Sequence, residues 1–230
     1  MPSLVVTTVR EKTVPRLRAP RRDDKPRVFL LSPANMAGVR AKLLLNARAP
    51  FPLARQFHDE GLPLADVFTF TSGLYFRGKI AYARHFATST RRDLVRVITS
   101  NAGLVDPDTV VHPRDIAAYG ETEIDPADPK YHEPLRRDAK RLAARTGNGP
   151  VILLGSIATP KYRHVLLDVF GERLFFPVDF VGRGDMSRGA LLLRAVEADE
   201  ELRYASVHDA VFTGKRAARV TEVRTRTLRV

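Results

Sequence analysis

The densest chemistry in this 230-residue chain lies in Gly182-Arg183-Gly184-Asp185-Met186-Ser187-Arg188-Gly189, which gathers two guanidiniums, a carboxylate and a hydroxyl. Asp185 suits a general base, a water-orienting group or an acceptor for the edge of a base, and Arg183 or Arg188 suits two-point contact with a phosphate or carboxylate. Asp185, Ser187 and Arg188 are therefore the catalytic candidates. The structural alternative is a helix start capped by Asp185 or Ser187, with an internal Asp–Arg pair.

A second pattern is spread along the chain. Four apolar runs end on a serine: Val28 to Ser32, Val67 to Ser72, Val95 to Ser100, and Val151 through Gly155 to Ser156. Near-continuous apolar runs read as strands covered on both faces, the habit of parallel sheets. In an open α/β sheet the ligand crevice lies outside the carboxyl ends of the strands. The segments after these runs would then bring binding candidates to one rim: Ser32 and Asn35; Ser72, Tyr75, Arg77 and Lys79; Ser100, Asn101 and Asp106; Gly155, Ser156, Thr159 and Lys161; and Arg183 with Asp185. Serine is also a preferred N-cap, which explains each case singly. Four uses of the smallest hydroxyl suit a lined pocket. Tyr75, Lys79 and Tyr82 share a helical face, either as a ring and ammonium for stacking a base or as amphipathic packing with a snorkelling lysine.

Several chemistries are excluded or disfavoured. With no cysteine, the chain has no disulfide, thiolate nucleophile, iron–sulfur cluster or cysteine-held zinc. The six histidines lack metal-ligand spacing, and there is no dinucleotide fingerprint, Walker sequence or Gly-x-Ser-x-Gly elbow. Neither metal nor cofactor is expected.

The elements that must position these residues alternate. Strands are predicted at Val28–Leu31, Val67–Thr71, Val95–Thr99, Val151–Leu154, Arg173–Phe176 and Leu202–Val207, with a short edge strand at Val5–Val9. Helices are predicted at Val39–Leu44, Leu53–Phe57, Leu74–Ala87, Arg114–Tyr119, Glu133–Arg145 and Lys161–Phe170. The last helix, opened by Gly182 to Gly189, is expected to bury Ala190, Leu193 and Val196. This alternation specifies an α/β fold, a three-layer sandwich with a mostly parallel, doubly wound sheet.

Charge divides the chain. Residues 1–27 carry eight Lys/Arg against three Asp/Glu, and residues 215–230 carry six against one, so most of the net +12 sits at the ends. The expected organisation is a basic, proline-containing N-terminal segment (1–27), one α/β domain (28–214) and a basic C-terminal tail (215–230). The tails are either solvated or in salt-sensitive contact with RNA or DNA. No apolar stretch is long enough for a bilayer and no signal peptide is evident, so no membrane partner and a cytoplasmic location are expected.

Ser32 with Lys42, then Ser72-Gly73-Leu74-Tyr75-Phe76-Arg77-Gly78-Lys79, then Ser100-Asn101-Ala102-Gly103-Leu104-Val105-Asp106, together resemble the uracil-DNA-glycosylase-like α/β domain of archaeosine synthase and its small bacterial relatives. The resemblance spans residues 28–170 through short motifs. It implies a superfamily acting on nucleobases or modified nucleosides, with ligand at the strand ends. By motif match, Ser100, Gly103, Leu104 and Asp106 correspond to its Ser-x-x-Gly-Leu loop, and Tyr75 with Arg77 to its aromatic-basic helix start. The family often has cysteine where this chain has Ser32, and Gly182 to Gly189 has no counterpart.

The leading expectation is an enzyme acting on a nucleobase or modified nucleoside by N-glycosidic cleavage or a lyase-type step. The alternatives are a non-enzymatic RNA/DNA-binding protein that uses its basic tails, and a nucleotide or sugar-phosphate enzyme.

Overall fold

The computed structural model describes residues 27–87, 94–158 and 160–210, together with the backbone of two terminal strands, Val5–Thr8 (β1) and Val211–Thr213 (β10). Thr159 and most of the two basic ends lie outside the described residues. β1 and β10 pair antiparallel, so the backbones of the two end segments meet.

The principal sheet has six strands in the order β5-β4-β2-β7-β8-β9. Its parallel centre consists of β2 (Val28–Leu31), β4 (Val95–Ile98), β7 (Val151–Leu154) and β8 (Leu174–Pro177). Two antiparallel edges, β5 (Leu104–Val105) and β9 (Tyr204–Ser206), flank it. A two-stranded ribbon pairs β3 (Leu62–Pro63) with β6 (Val110–Val111). The central strands are apolar on both faces because both faces are covered. Phe29, Leu31, Val97, Ile152 and Leu154 join one core cluster, whereas Val28, Leu30, Ile98, Val151 and Leu153 join the other.

The first cluster is closed by α1 (Val39–Leu45), α2 (Pro52–Asp59), α3 (Leu64–Ser72), α4 (Leu74–Phe86), α5 (Pro113–Glu121) and α8 (Asp185–Glu197). The second is closed by α6 (Pro129–Thr146) and α7 (Pro160–Phe170). Leu135, Ala139 and Leu142 of α6 are buried at the expected helical spacing. Asp128 caps α6 by accepting from the Lys130 N–H at 2.9 Å.

Two sequence expectations fail for identifiable reasons. The run Val67 to Ser72 is the second half of helix α3, not a strand. Leu64, Ala65, Val67 and Phe68 are buried, a spacing of 3.6, while Thr69 to Ser72 are half-buried. Ser72 therefore closes a helix, against Gly73 at φ +62°. On α8 the buried positions are Gly189, Leu192 and Ala195 rather than Ala190, Leu193 and Val196. Val39 and Leu43 of α1 are exposed, and Ala41 and Leu44 face inward.

The phase of α8 follows from how closely it crosses α4. A Cβ built on Gly78 would lie 2.6 Å from the Gly189 carbonyl oxygen, and one on Gly189 would lie 2.6 Å from the Leu74 carbonyl oxygen. Only two glycines allow this backbone-to-backbone contact. Gly189→Ala must part the helices, and a loss of about 1–3 kcal/mol is expected. Chemical denaturation checks it against Gly184→Ala, whose added methyl meets nothing within 4 Å and should cost less.

Candidate functional site

Going along the chain, the path passes from β2 to β4 on one side and then to β7 on the other, so the strand order reverses beside β2. Such a reversal opens a crevice at the carboxyl ends of the two diverging strands, here β2 and β7. Ser32 stands directly at that point. Its N–H extends the ladder to the Leu154 carbonyl at 3.2 Å, and Gly155 presses against its side chain, since a Cβ there would come within 2.8 Å of Ser32 Cβ.

Lys79 reaches this point from α4. It is wholly buried, and its Nζ donates to the Ser32 carbonyl at 2.6 Å and to Ser32 Oγ at 3.1 Å. The same nitrogen lies 4.4 Å from the Tyr75 ring centroid and 4.8 Å from that of Phe76. Desolvation lowers the Lys79 pKa to about 7. Asp185 opposes the shift and Arg188 adds to it. Lys79 is thus a buried amine rather than a snorkelling lysine.

Tyr75 is buried, and its hydroxyl proton finds no acceptor among the described residues, the neighbouring Arg188 guanidinium being able only to donate to its oxygen. Burial raises the Tyr75 pKa well above that of an ordinary phenol, with Arg188 opposing and Asp185 reinforcing, so the hydroxyl stays protonated as a donor. Its ring meets Phe180 edge-on, and the Arg188 guanidinium lies 5.5 Å from the Phe180 ring centroid while donating twice to the Phe180 carbonyl. Tyr162, at the start of α7, is pushed up to about 12 by burial, with Asp185 adding to the shift. One electrostatic neighbourhood therefore joins α4, α7 and α8.

Two hollows flank this centre. The larger, about 610 Å³, is lined by residues following β2 and β4 and by the ends of α5 and α7, including Asn35, Phe68, Ser100, Tyr119, Lys161 and Tyr162. The smaller, about 310 Å³, lies over β7 and β8 and includes Gly155, Ser156, Phe180, Arg183 and Arg188. Ser32 and Gly155 stand between them: Pro33 and Ala34 line the first hollow and Gly155 the second.

The sequence candidates distribute unevenly over this geometry. Ser32, Tyr75, Lys79 and Arg188 meet at the centre. Asn35, Ser100 and Lys161 line the larger hollow, with Ser100 Oγ donating to the Tyr119 carbonyl at 2.8 Å. Ser156 lines the smaller one and accepts from the Ala158 N–H at 3.3 Å. Asp185 lines neither hollow: it stands in the first turn of α8 with its side chain 70% exposed, 3.5 Å from Arg188 across one turn, and Ser187 accepts from Arg183 at 3.2 Å. Arg77 is exposed, and Ser72 lines neither hollow.

Asp106 and Gly103 leave the rim. β5 runs back antiparallel to β4, which carries Asp106 down to an ion pair with Arg96. Gly103 makes that turn at φ +71°, and a Cβ there would strike Asp138 and the Pro134 carbonyl of α6. Sequence reasoning passed over Tyr162, Tyr119 and Phe68 as site residues. Only the inward aromatic at the entrance of α7 gave any signal.

The shifted lysine makes stability depend on pH. Unfolded, Lys79 keeps its proton up to about 10.5, while folded it loses it near 7, so between these values the unfolded chain binds the extra proton. Stability supplied by this site therefore rises with pH across that window, by at most about 1.4 kcal/mol per unit. The melting temperature of the wild type relative to Lys79→Met should climb from pH 7 towards pH 10. A flat difference would show an ordinary lysine. Comparison of the chain with protein-family models, with curated proteins and with solved structures found no match.

Proposed function

We propose that the protein is an enzyme acting on a nucleobase or modified nucleoside, cleaving an N-glycosidic bond or carrying out a related lyase step. The proposal includes a three-layer, doubly wound sandwich in the cytoplasm and a distant relationship to the uracil-DNA-glycosylase-like domains. One observation carries it: a buried amine, Lys79, and a buried hydroxyl, Tyr75, whose proton has no acceptor among the described residues, lie at the point where the strand order reverses.

The larger hollow supports the substrate class. Its volume falls within the range of small-molecule sites, and it combines the rings of Phe68, Tyr119 and Tyr162 with the amide of Asn35 and the hydroxyl of Ser100. Flat heterocycles with polar edges need that combination of stacking faces and edge partners. In this reading Asp185, exposed in the first turn of α8, handles a proton or water, Arg188 or Arg183 holds an anionic group, and Ser100 and Ser156 meet polar edges. Asp106, displaced from the rim, is given no role.

A thermal-shift panel of nucleosides and 7-deazaguanine bases tests this directly. A ligand at one hundred times its Kd adds about 2.7 kcal/mol, several degrees in a chain of this size. At least one compound should produce such a shift, and Asp185→Asn should then slow turnover about 100-fold. No shift across the panel, with every detected activity unchanged in Asp185→Asn, defeats the proposal.

A second reading, RNA or DNA binding without catalysis, has its own support. A hollow of about 370 Å³ on the α6 side is lined by Arg96, Arg137, Arg141 and Arg145, with Asp138 among them. Arg137, Arg141 and Arg145 recur every fourth residue, one per helical turn, about 6 Å apart along the axis. If this stripe grips phosphates, Arg137→Glu with Arg141→Glu should weaken nucleic-acid binding uniformly across sequences and reduce its salt slope by about 2. Filter binding at several salt concentrations measures it, and an unchanged slope removes this reading.

A further inference from the structure

We infer that Ser32 and Lys79 form a nucleophile–base pair, with Ser32 Oγ attacking the carbonyl carbon of an amide or ester seated in the larger hollow and the Tyr75 hydroxyl donating to the oxyanion. The inference is independent of the substrate's ring and does not rest on the nucleobase reading.

The geometry begins with distance. Ser32 Oγ and Lys79 Nζ are 3.1 Å apart, within the reach that proton transfer requires. A serine hydroxyl is a weak nucleophile until an adjacent base takes its proton, and a lysine serves as that base only when held neutral. Full burial against Tyr75 and Phe76 provides the condition. The charged groups acting on Lys79 come from α8, with Asp185 favouring the ammonium and Arg188 the free amine, and they offset one another in sign. Burial therefore decides the outcome and leaves the amine able to accept a proton near neutral pH.

Position and polarity agree. Ser32 sits at the strand end, buried at 5% exposure; it lines neither hollow itself, but the next two residues, Pro33 and Ala34, line the larger one. The Lys79 contact to the Ser32 carbonyl at 2.6 Å fixes the amine against the serine backbone, which holds Oγ and Nζ in register. Tyr75 supplies the remaining need. Its hydroxyl is buried and protonated, and among the described residues its proton has no acceptor, so that donor is left unsatisfied until a ligand oxygen arrives.

The step balances without a further reagent. Neutral Nζ takes the Oγ proton as the Oγ–carbon bond forms, and the carbonyl electron pair moves to oxygen. The tetrahedral intermediate returns that pair, the bond to the leaving nitrogen or oxygen breaks, and the leaving group takes the proton from the Lys79 ammonium. Water then adds to the Ser32 ester by the same route, releasing the acid and restoring the hydroxyl.

A fluorophosphonate reagent tests the pair in the full chain, because the Oγ–phosphorus bond forms as fluoride leaves. Intact mass and peptide mapping should show one adduct, on Ser32, at a rate that rises with pH to a plateau with its midpoint near 7. Ser32→Ala should take up none, and Lys79→Arg should react about 100-fold more slowly. If Lys79→Arg does not fold, the pH profile of the wild type carries the test, since a merely structural lysine gives no such midpoint. Absence of an adduct, an adduct that persists in Ser32→Ala, or a rate without that midpoint overturns the inference. The nucleoside panel reads separately: an adduct without any nucleoside shift upholds the pair and removes only the nucleobase reading, whereas a shift without an adduct does the reverse.

Discussion

The interaction on which the site depends is the insertion of Lys79 beneath the end of β2. Placing a lysine nitrogen out of water is costly unless its protons find acceptors or one of them is given up. Here both oxygens of Ser32 serve as acceptors, and desolvation draws the pKa of the amine down to about 7, which favours release of the remaining charge. A strand end normally leaves its last carbonyl to water or to a loop. In this protein a side chain from a separate helix takes that carbonyl, which ties the position of α4 to the strand where the sheet order turns back.

That tie explains why the crossing of α4 and α8 is built from glycine. Tyr75, Gly78 and Lys79 lie within about one turn of each other, so the surface of α4 that carries the amine lies beside the surface that meets α8. With side chains at both Gly78 and Gly189, the helices would separate and Arg188 would move away from Tyr75 and Phe180. The close contact instead brings the first turn of α8, with Asp185 and Arg188, into the electrostatic surroundings of the amine and the phenol. Packing and chemistry use the same few residues.

These relations were unevenly legible in the sequence. Val28–Leu31, Val95–Ile98 and Val151–Leu154 could be read because strands buried on both faces need near-continuous apolar residues, broken here only at Arg96. Val67 to Ser72 misled because its β-branched and aromatic composition outweighed a helical period that becomes visible only when Leu64 and Ala65 are included. On α8, apolarity pointed to the wrong face because the deepest contact is made by Gly189, which has no side chain to count. The rim was legible wherever it follows a parallel strand, as at Ser32, Ser100 and Ser156. It was misjudged at Asp106, since a two-residue antiparallel strand reverses the chain without any strong composition of its own.

Lysine gives no sign in a sequence that it will be buried, and the reason lies in the partition between the two hollows. Ser32 and Gly155 are both small, and the absent side chain of Gly155 leaves just enough room for the serine to lie flush against it. A larger residue at either position would fill the space above Lys79 or push β7 away from β2. The small pair thus performs two tasks that sequence reading treats as one: it keeps adjacent parallel strands in contact, and it leaves a polar floor thin enough for Lys79 to reach from below. Burial of the amine is a consequence of that thinness, because the helix must approach closely for a four-carbon stem to deliver its nitrogen to the strand end. The fold therefore places a buried amine at its topological turning point through ordinary close packing, with its bonds going to Ser32 and to no carboxylate among the described residues.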